Sequence, residues 1–325
     1  MRAYNPPPMR ILLVKTSSLG DVVHNLPVAT DLARRFPDAT IDWVVEEGFA
    51  ELPRLHPAVR NVIPVAIRRW RKSLHSPATW AEMRAFRAAL RAEPYDAVID
   101  SQGLLKSALI TALARGQHIG QDCHSAREPI ACRFYDRRVF VSRSQHAVER
   151  NRQLAATAFG YKLDETIDYG IAAPPLAASW LPAGDYAVLL TATSRTDKEW
   201  PEEDWQALGM AMIATGLRCV LPGGSPIERE RASRLATSLG RAVAAPAMNL
   251  TDLAGLLAGA SLVVGVDTGL VHLAAALGRP TLALYCGSDP TLTGVLAGDN
   301  AVNLGGLGTP PPAGEVVRHA LQMLP

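Results

Sequence analysis

The first residues that suggest chemistry follow the first apolar run of the chain. The segment Lys15-Thr-Ser-Ser-Leu-Gly-Asp21 leads from a strand-like pattern into a helical one. Asp21 is either a first-turn carboxylate that caps the helix or a general base at the carboxyl end of the strand. The segment matches neither the G-x-G-x-x-G dinucleotide fingerprint nor a Walker loop, which disfavours a nicotinamide enzyme.

Two polar loops in the second half have the composition of anion sites. The stretch Thr191 to Lys198 carries hydroxyl side chains and a lysine, and predicts either a phosphate-binding loop or an ordinary polar turn. Further on, an apolar strand breaks into Asp267-Thr268-Gly269, where a starting helix would offer free amides and its macrodipole to a diphosphate. Asp267 as a simple helix cap fits the same pattern, and His272 equally fits a buried core histidine.

Two further side chains are candidate nucleotide contacts. Glu228 follows a Pro-Gly-Gly-Ser-Pro turn and has the chemistry to accept hydrogen bonds from a ribose diol. A first-turn glutamate is also favoured by the helix dipole alone. Met248 either packs as a core or loop residue or lies against a flat base.

Four cations surround Trp70, and we name them the basic patch: Arg68, Arg69, Arg71 and Lys72. The patch is interpreted either as a solvated surface or as a landing site for an anionic acceptor or membrane headgroups. The whole chain has 33 basic and 31 acidic residues, a net charge of +2, so we expect no nucleic-acid partner. It contains no D-x-D triplet and no His or Cys cluster with metal spacing, so we expect no metal ion and no cofactor.

The elements that must position these residues alternate between strands and helices. Apolar runs predict strands at 11–14, 41–45, 62–65 and 97–99, and again at 186–190, 219–221, 262–266 and 282–285. Helical spacing is found at 22–35, 80–91, 104–114, 146–159, 203–214, 226–239, 252–257 and 314–324. This rhythm predicts two α/β domains with doubly wound parallel sheets, in a chain of 325 residues. The pattern weakens through 116–144, and the Pro- and Ala-rich stretch 172–184 predicts an interdomain linker.

The cysteines and the apolar stretches indicate the cellular compartment. Cys123, Cys132, Cys219 and Cys286 form no C-x-x-C pair, so we expect neither a zinc knuckle nor a disulfide framework. The apolar run near the N-terminus is shorter than a signal-peptide core, and the longest nearly uncharged stretch, 253–266, is too short to cross a bilayer. We therefore expect a cytoplasmic protein that would meet a membrane only from the side.

Several motifs, taken together, resemble those of a known enzyme family. They are Met9-Arg-Ile-Leu-Leu-Val-Lys-Thr-Ser-Ser-Leu-Gly-Asp21, Asp42 to Phe49, Tyr95 to Asp100, Ala126 to Pro129, Gln145 to Arg150 and Val266 to Gly269. The set resembles the bacterial lipopolysaccharide heptosyltransferases of glycosyltransferase family 9, in particular the members that add the first heptose.

The resemblance implies a GT-B fold, in which two Rossmann-like doubly wound domains face each other across a cleft. We expect an N-terminal extension (1–8), an acceptor domain (9–171), the linker (172–184), a nucleotide-sugar domain (185–309) and a C-terminal loop and helix (310–325). The implied reaction is an inverting, metal-independent transfer of L-glycero-D-manno-heptose from ADP-heptose to the first Kdo of Kdo2-lipid A. It would take place at the anionic cytoplasmic face of the inner membrane of a Gram-negative bacterium, as part of lipopolysaccharide inner-core synthesis.

The resemblance also implies roles for individual residues. Asp21 falls on the catalytic base. The nucleotide-sugar contacts would be Thr193, Ser194, Lys198, Glu228, Met248, Asp267, Thr268, Gly269 and His272. The acceptor contacts would be Arg68, Arg69, Arg71, Lys72 and Arg127. Two positions depart from the family pattern, because Ser194 stands where threonine is expected and Gly223 replaces a bulkier residue.

Three alternatives stay open at this stage. The chain could be a heptosyltransferase that acts on a later core acceptor. It could also be a nucleotide-sugar epimerase or dehydrogenase, which the missing dinucleotide fingerprint disfavours. A non-catalytic sugar-binding protein is disfavoured by the missing export signal.

Overall fold

The computed structural model, which describes residues 8–193 and 195–324, contains two separate parallel sheets of six strands each. The first sheet lies in a unit that ends at Ile171, and the second lies in a unit that starts at Ala172. Of the predicted N-terminal extension, only Pro8 belongs to the described residues.

The first unit has its strands at Arg10–Val14 (β1), Thr40–Glu46 (β2), Val59–Val65 (β3), Ala97–Asp100 (β4), Gln117–Gln121 (β5) and Arg137–Val139 (β6). Its helices are Leu19–Val23 (α1), Leu26–Arg35 (α2), Glu51–Arg54 (α3), Ile67–Trp70 (α4), Pro77–Leu90 (α5), Leu105–Leu113 (α6) and Ala147–Phe159 (α7), with short 3-10 helices at Glu47–Phe49 and Pro129–Phe134. The strand order is β3-β2-β1-β4-β5-β6, which is the Rossmann order.

The second unit repeats this topology. Its strands are Tyr186–Leu190 (β7), Arg218–Leu221 (β8), Ala242–Ala244 (β9), Leu262–Val266 (β10), Thr281–Tyr285 (β11) and Ala301–Gly305 (β12), in the order β12-β11-β10-β7-β8-β9. Its helices are Glu202–Ala214 (α8), Pro226–Leu239 (α9), Leu250–Ala258 (α10), Gly269–Ala276 (α11) and Ala313–Gln322 (α12), with 3-10 helices at Thr196–Lys198 and Gly298–Asn300. Read from its own first strand, this is the same Rossmann order.

The central strands of both sheets are continuous aliphatic runs because helices cover both faces of a parallel sheet. Residues 11–14 of β1 and residues 262–264 of β10 are each at most 1% exposed. These runs confirm the predicted strands at 11–14, 186–190 and 262–266. The stretch predicted as a linker packs on the second unit, where the Leu176 amide donates to the Gly255 carbonyl at 3.1 Å.

Several predicted elements differ from the structure. The helix predicted over 22–35 is two helices, α1 and α2, and Pro27 lies in the first turn of α2, where no amide donor is needed. The weak region 116–144 contains strands β5 and β6, and strands β9 and β12 were also not predicted. No helix among the described residues is long and apolar enough to cross a membrane.

The prediction that the cysteines form no disulfide was wrong. Cys123 and Cys132 are bonded to each other, with their Cα atoms 5.2 Å apart, whereas Cys219 and Cys286 are free and buried. The chain turns sharply between the two bonded residues, because the Asp122 carboxylate accepts hydrogen bonds from the amides of His124 and Ser125. The 3-10 helix that follows places Cys132 next to Cys123. The spacing of nine residues in the sequence does not by itself predict this turn.

A buried histidine links α2 to the loop that follows α3. His56 is only 3% exposed, and its Nδ1 accepts a hydrogen bond from the Ala58 amide at 3.1 Å. The ring proton therefore lies on Nε2, which is 2.9 Å from the Thr30 hydroxyl oxygen. Burial lowers the pKa of His56 to about 4, and the more distant Asp168 only partly opposes this shift.

This histidine makes the fold sensitive to acid. The folded pKa lies below the unfolded value of 6.5, so between those values the unfolded chain binds more protons and the free energy of unfolding falls as the pH falls. We expect a loss on the order of 3 kcal/mol from pH 6.5 to pH 4 that His56→Gln does not show. The measurement is urea unfolding of both proteins at the two pH values. Equal losses in the two proteins would contradict it.

Candidate active site

The predicted site residues of each unit follow the carboxyl ends of its parallel strands. In the first unit, Asp21 follows β1, the basic patch follows β3, and Arg127 follows β5. Strands β1 and β4 are neighbours, but the chain leaves β1 towards β2 and leaves β4 towards β5. Loops that diverge in this way open a crevice at the switch point of the sheet, which is where such folds bind ligands.

Asp21 is both a helix-capping residue and an accessible carboxylate. Its Oδ2 accepts hydrogen bonds from the Ser18 amide at 2.8 Å and from the Ser18 hydroxyl at 3.2 Å. The guanidinium of Arg127 lies 3.6 Å from the same oxygen. The side chain of Asp21 is 26% exposed, and within the described chain these contacts leave Oδ1 open to an incoming hydroxyl.

Positive charge surrounds this carboxylate. Lys106, on the first turn of α6, donates to the Ser17 hydroxyl at 2.9 Å. Burial lowers the pKa of Lys106, as do the nearby charges of Arg68 and Arg127, while Glu46 and Asp21 oppose the shift. Lys106 therefore interacts electrostatically with Arg68, a member of the basic patch, as well as with Asp21 and Arg127.

Lys15 lies beneath the loop that leads to Asp21. Its Nζ donates to the Ser101 carbonyl at 2.8 Å and is 3.4 Å from the Asn151 side-chain oxygen. Burial lowers the pKa of Lys15 to about 8, and Asp21 and Asp100 oppose this shift. Lys15 is therefore a buried amine at the start of the Asp21 loop, held there by the Ser101 carbonyl.

The members of the basic patch are not equivalent. Arg69 makes a bidentate pair with Glu47, both bonds being 3.0 Å, and lies 2.8 Å from Glu82. The Trp70 indole donates to the same Glu82 at 2.7 Å. The guanidinium of Arg68 instead lies 5.4 Å from the centroid of the Phe49 ring. Acidic neighbours thus neutralise the charge of Arg69.

The second unit has its own switch point between β7 and β10. Lys198 follows β7 and donates to Oδ2 of Asp267, which follows β10, at 2.5 Å. The Ser288 hydroxyl, after β11, donates to the same oxygen at 2.6 Å, and the Thr193 hydroxyl donates to the Asp267 backbone carbonyl at 3.1 Å. Three loops therefore converge on Asp267.

Asp267 is held in its charged form. Burial alone would raise the pKa of this carboxyl group, but hydrogen bonds from His272, Lys198 and Ser288 together hold it well below its usual range. His272 is 6% exposed, and its Nε2 lies 3.9 Å from Oδ1 of Asp267. The histidine is thus both a buried residue and a partner of the site.

Helix α11 begins beside this cluster. Thr268 is its N-cap and Gly269 its first residue, so the first amides of the helix have no carbonyl partners within it. With the cation of Lys198 nearby, these amides form a cradle suited to an anion.

The two nucleotide candidates lie on neighbouring loops. Glu228 completes a capping box at the start of α9, where its Oε2 accepts hydrogen bonds from the amides of Gly224 and Ser225 at 2.8 and 3.0 Å. Met248 is half-buried in the loop between β9 and α10. A Cβ at Gly223 would lie 2.7 Å from the Arg229 backbone nitrogen, so the small residue here permits close packing on α9.

The structure brings Asp21 and Arg127 together in the first unit, and Thr193, Lys198, Asp267 and His272 together in the second. Glu228 and Met248 lie in other loops of the second unit, and Ser194 lies outside the described residues. Sequence reasoning missed Lys15, Gln102, Lys106 and Ser288 as site residues. Each follows a predicted strand of a parallel sheet, and that position was the available signal.

The chain is similar to proteins of one known family. The model of glycosyltransferase family 9 (heptosyltransferase) matches residues 83–315. Lipopolysaccharide heptosyltransferase 1 of Escherichia coli (strain K12) is 53% identical over 288 residues, which cover 88% of this chain and 90% of that protein. Lipopolysaccharide heptosyltransferase 2 of the same organism is 25% identical, over 88% of this chain and 85% of that protein.

Two solved structures are similar over almost the whole chain. The E. coli heptosyltransferase WaaC with ADP has a TM-score of 0.90 and 48% identity, covering 97% of this chain and 100% of that one. WaaC with ADP-2-deoxy-2-fluoro heptose has a TM-score of 0.86 and 48% identity, covering 97% of this chain and 98% of that one.

Proposed function

Because the chain belongs to glycosyltransferase family 9 and is a heptosyltransferase of lipopolysaccharide core biosynthesis, we propose the reaction that it catalyses. It transfers L-glycero-D-manno-heptose from ADP-heptose to the first Kdo of Kdo2-lipid A, with inversion at the sugar carbon and without a metal ion. Residues 9–171 bind the acceptor, and residues 185–309 bind the nucleotide sugar. The observation that carries the proposal is Asp21, a carboxylate at a switch point with one oxygen already fixed and the other open.

Asp21 acts as the general base on the acceptor side. Its Oδ1 takes the proton of the attacking Kdo hydroxyl as the new bond to the heptose carbon forms, and the bond to ADP breaks on the opposite face. Ser18 keeps the carboxylate in place through Oδ2. Arg127, which is 55% exposed, binds a carboxylate of the acceptor beside that base.

The second unit stabilises the leaving ADP. Lys198 and the first amides of α11, at Thr268 and Gly269, carry the charge that develops on the diphosphate. Thr193, Asp267 and His272 bind the heptose and hold this loop together. Glu228 binds the ribose through Oε1, which the capping box leaves available, and Met248 lies against the adenine.

The basic patch provides the contact with the anionic membrane surface and the lipid-linked acceptor. Arg68, Arg71 and Lys72 are the cations of the patch whose charge is available for this role. Leu74 and Trp80 follow the patch and are about half exposed, at 50% and 49%. Cations beside an exposed aromatic and an aliphatic side chain are typical of surfaces that lie against lipid headgroups.

The first test is the reaction itself. Purified protein incubated with ADP-L-glycero-D-manno-heptose and Kdo2-lipid A should form the monoheptosylated lipid and ADP at the same rate with and without EDTA. An acceptor that already carries the first heptose should give no product. Turnover only on that acceptor would contradict the assignment, and loss of activity with EDTA would contradict the metal-independent mechanism.

Substitution of the proposed base should lower turnover, whereas substitution of the proposed phosphate-binding lysine should weaken the binding of ADP. Asp21→Ala is expected to lower kcat by about a thousandfold and to leave the Kd of ADP unchanged, because the base touches only the acceptor. Lys198→Ala is expected to raise the Kd of ADP by about 10- to 100-fold, because it removes a charged hydrogen bond to the diphosphate. Calorimetric titration and steady-state kinetics measure both quantities.

The control for the lysine is Arg195→Ala in the same loop. Arg195 is exposed and paired with Asp197, two residues away, so its removal should change neither quantity. If Arg195→Ala weakens ADP as much as Lys198→Ala does, the effect is one of general charge and not of a phosphate site. Normal turnover in Asp21→Ala would remove that residue from the mechanism.

The basic patch should control the acceptor KM. Replacement of Arg68, Arg71 and Lys72 by glutamine is expected to raise the KM for Kdo2-lipid A in anionic vesicles by about tenfold or more and to flatten its salt dependence. Arg69→Gln should change it less, because Glu47 and Glu82 already neutralise Arg69. An unchanged KM in the triple variant would mean that the patch is a solvated surface with no role in binding the acceptor.

A further inference from the structure

We propose that Gln102 is a positioning residue for the catalytic base, acting through the backbone of the loop that carries Asp21. The inference rests on the proposed role of Asp21. Gln102 lies just after β4, across the switch point from that loop, and it is 2% exposed. It contributes no charge to the site, so any effect it has on the base must come from geometry.

The contact consists of two hydrogen bonds to a single oxygen. Oε1 of Gln102 accepts the backbone amide of Thr16 at 3.1 Å and that of Ser17 at 3.2 Å. The following amide, of Ser18, donates to the Asp21 carboxylate at 2.8 Å. Three successive amides of the loop are thus fixed. Gln102 binds the first two, and the Asp21 carboxylate binds the third, so the two side chains hold adjacent residues of the same segment.

Gln102 is itself held in place by a buried carboxylate. Oδ1 of Asp100 accepts the Gln102 amide at 2.8 Å and the Gly103 amide at 3.2 Å, and Oδ2 accepts the Tyr135 hydroxyl at 2.8 Å. Asp100 is completely buried at the end of β4. The central sheet therefore determines where the side chain of Gln102 can reach.

The same turn also positions the cation beside the base. The Gly103 carbonyl accepts the Glu128 amide at 2.9 Å. Gly103 has φ +66°, a conformation that disfavours larger residues, and a Cβ there would lie 3.0 Å from Gln121 Oε1 and 3.3 Å from the Arg127 backbone nitrogen, so glycine suits this close approach. Residues 102 and 103 thus contact both the loop of Asp21 and the segment of Arg127, and they set the distance between the two charged side chains.

The test replaces the acceptor oxygen without changing the length of the side chain. In Gln102→Met the amides of Thr16 and Ser17 lose their partner, and we expect kcat to fall by about 30- to 100-fold, since a shift of about 1 Å at a reacting group costs this much. The Kd of ADP should stay at the wild-type value. Gln102→Asn keeps the amide but its oxygen falls short of both backbone amides, so it should lose turnover as Gln102→Met does.

The matched control is Thr30→Val, which removes a different buried hydrogen bond of the same unit, the one to His56. All variants are assayed at pH 8, where His56 is neutral, and their urea-unfolding midpoints are compared. A kcat of Gln102→Met equal to that of Thr30→Val, or wild-type turnover in Gln102→Asn, would overturn the proposal. Should Gln102→Met not fold, Gln102→Asn takes its place, since its oxygen falls short of both amides.

The experiments distinguish a failure of the Gln102 proposal from a failure of the proposed role of Asp21. If Asp21→Ala retains turnover, the proposed base fails, whatever Gln102 does. If Asp21→Ala is inactive and Gln102→Met remains as active as the control, the base stands and only the positioning role falls.

Discussion

The arrangement of both candidate sites depends on one constraint, which is that neighbouring parallel strands send their connections in opposite directions. In the first unit this happens between β1 and β4, and in the second between β7 and β10. Strand pairing fixes the two loop origins about 5 Å apart, while the connections that diverge keep the space above them open. The loop that leads to Asp21 meets Gln102 across the first opening, and Lys198 meets Asp267 across the second.

The two interpretations of Asp21 that the sequence leaves open are compatible, because a carboxylate has two oxygens. Oδ2 caps the first turn of α1 through Ser18, and Oδ1 stays open for chemistry. The capping bonds also fix the orientation of the group, which a general base needs. The same holds for Glu228, whose capping box occupies Oε2 alone. A structural role for a residue at such a loop is therefore weak evidence against a functional one.

Elements whose residues carry their own signal could be predicted from the sequence, and elements defined by distant contacts could not. The aliphatic strands at 186–190 and 262–266 were predicted to the residue. Strand β5, Gln-His-Ile-Gly-Gln, has a single aliphatic residue, and strand β9, Ala-Val-Ala, is too short to show a pattern, so their neighbours in the sheet determine their conformation. The Cys123–Cys132 bond and the contact from Gln102 to Thr16 likewise depend on how the chain turns, which residue spacing does not encode.

The two units hold their charged groups by different means, and this follows from what each must bind. A neutral amide, Gln102, binds the loop of Asp21, so the proposed base gains and loses a proton without disturbing its support. Lys198 is instead held by the charge of Asp267. In the proposed mechanism a diphosphate shares that lysine with a carboxylate, which would repel the diphosphate if the carboxylate were free to turn. Ser288 and His272 restrain that turn, because each hydrogen-bonds to the side chain of Asp267.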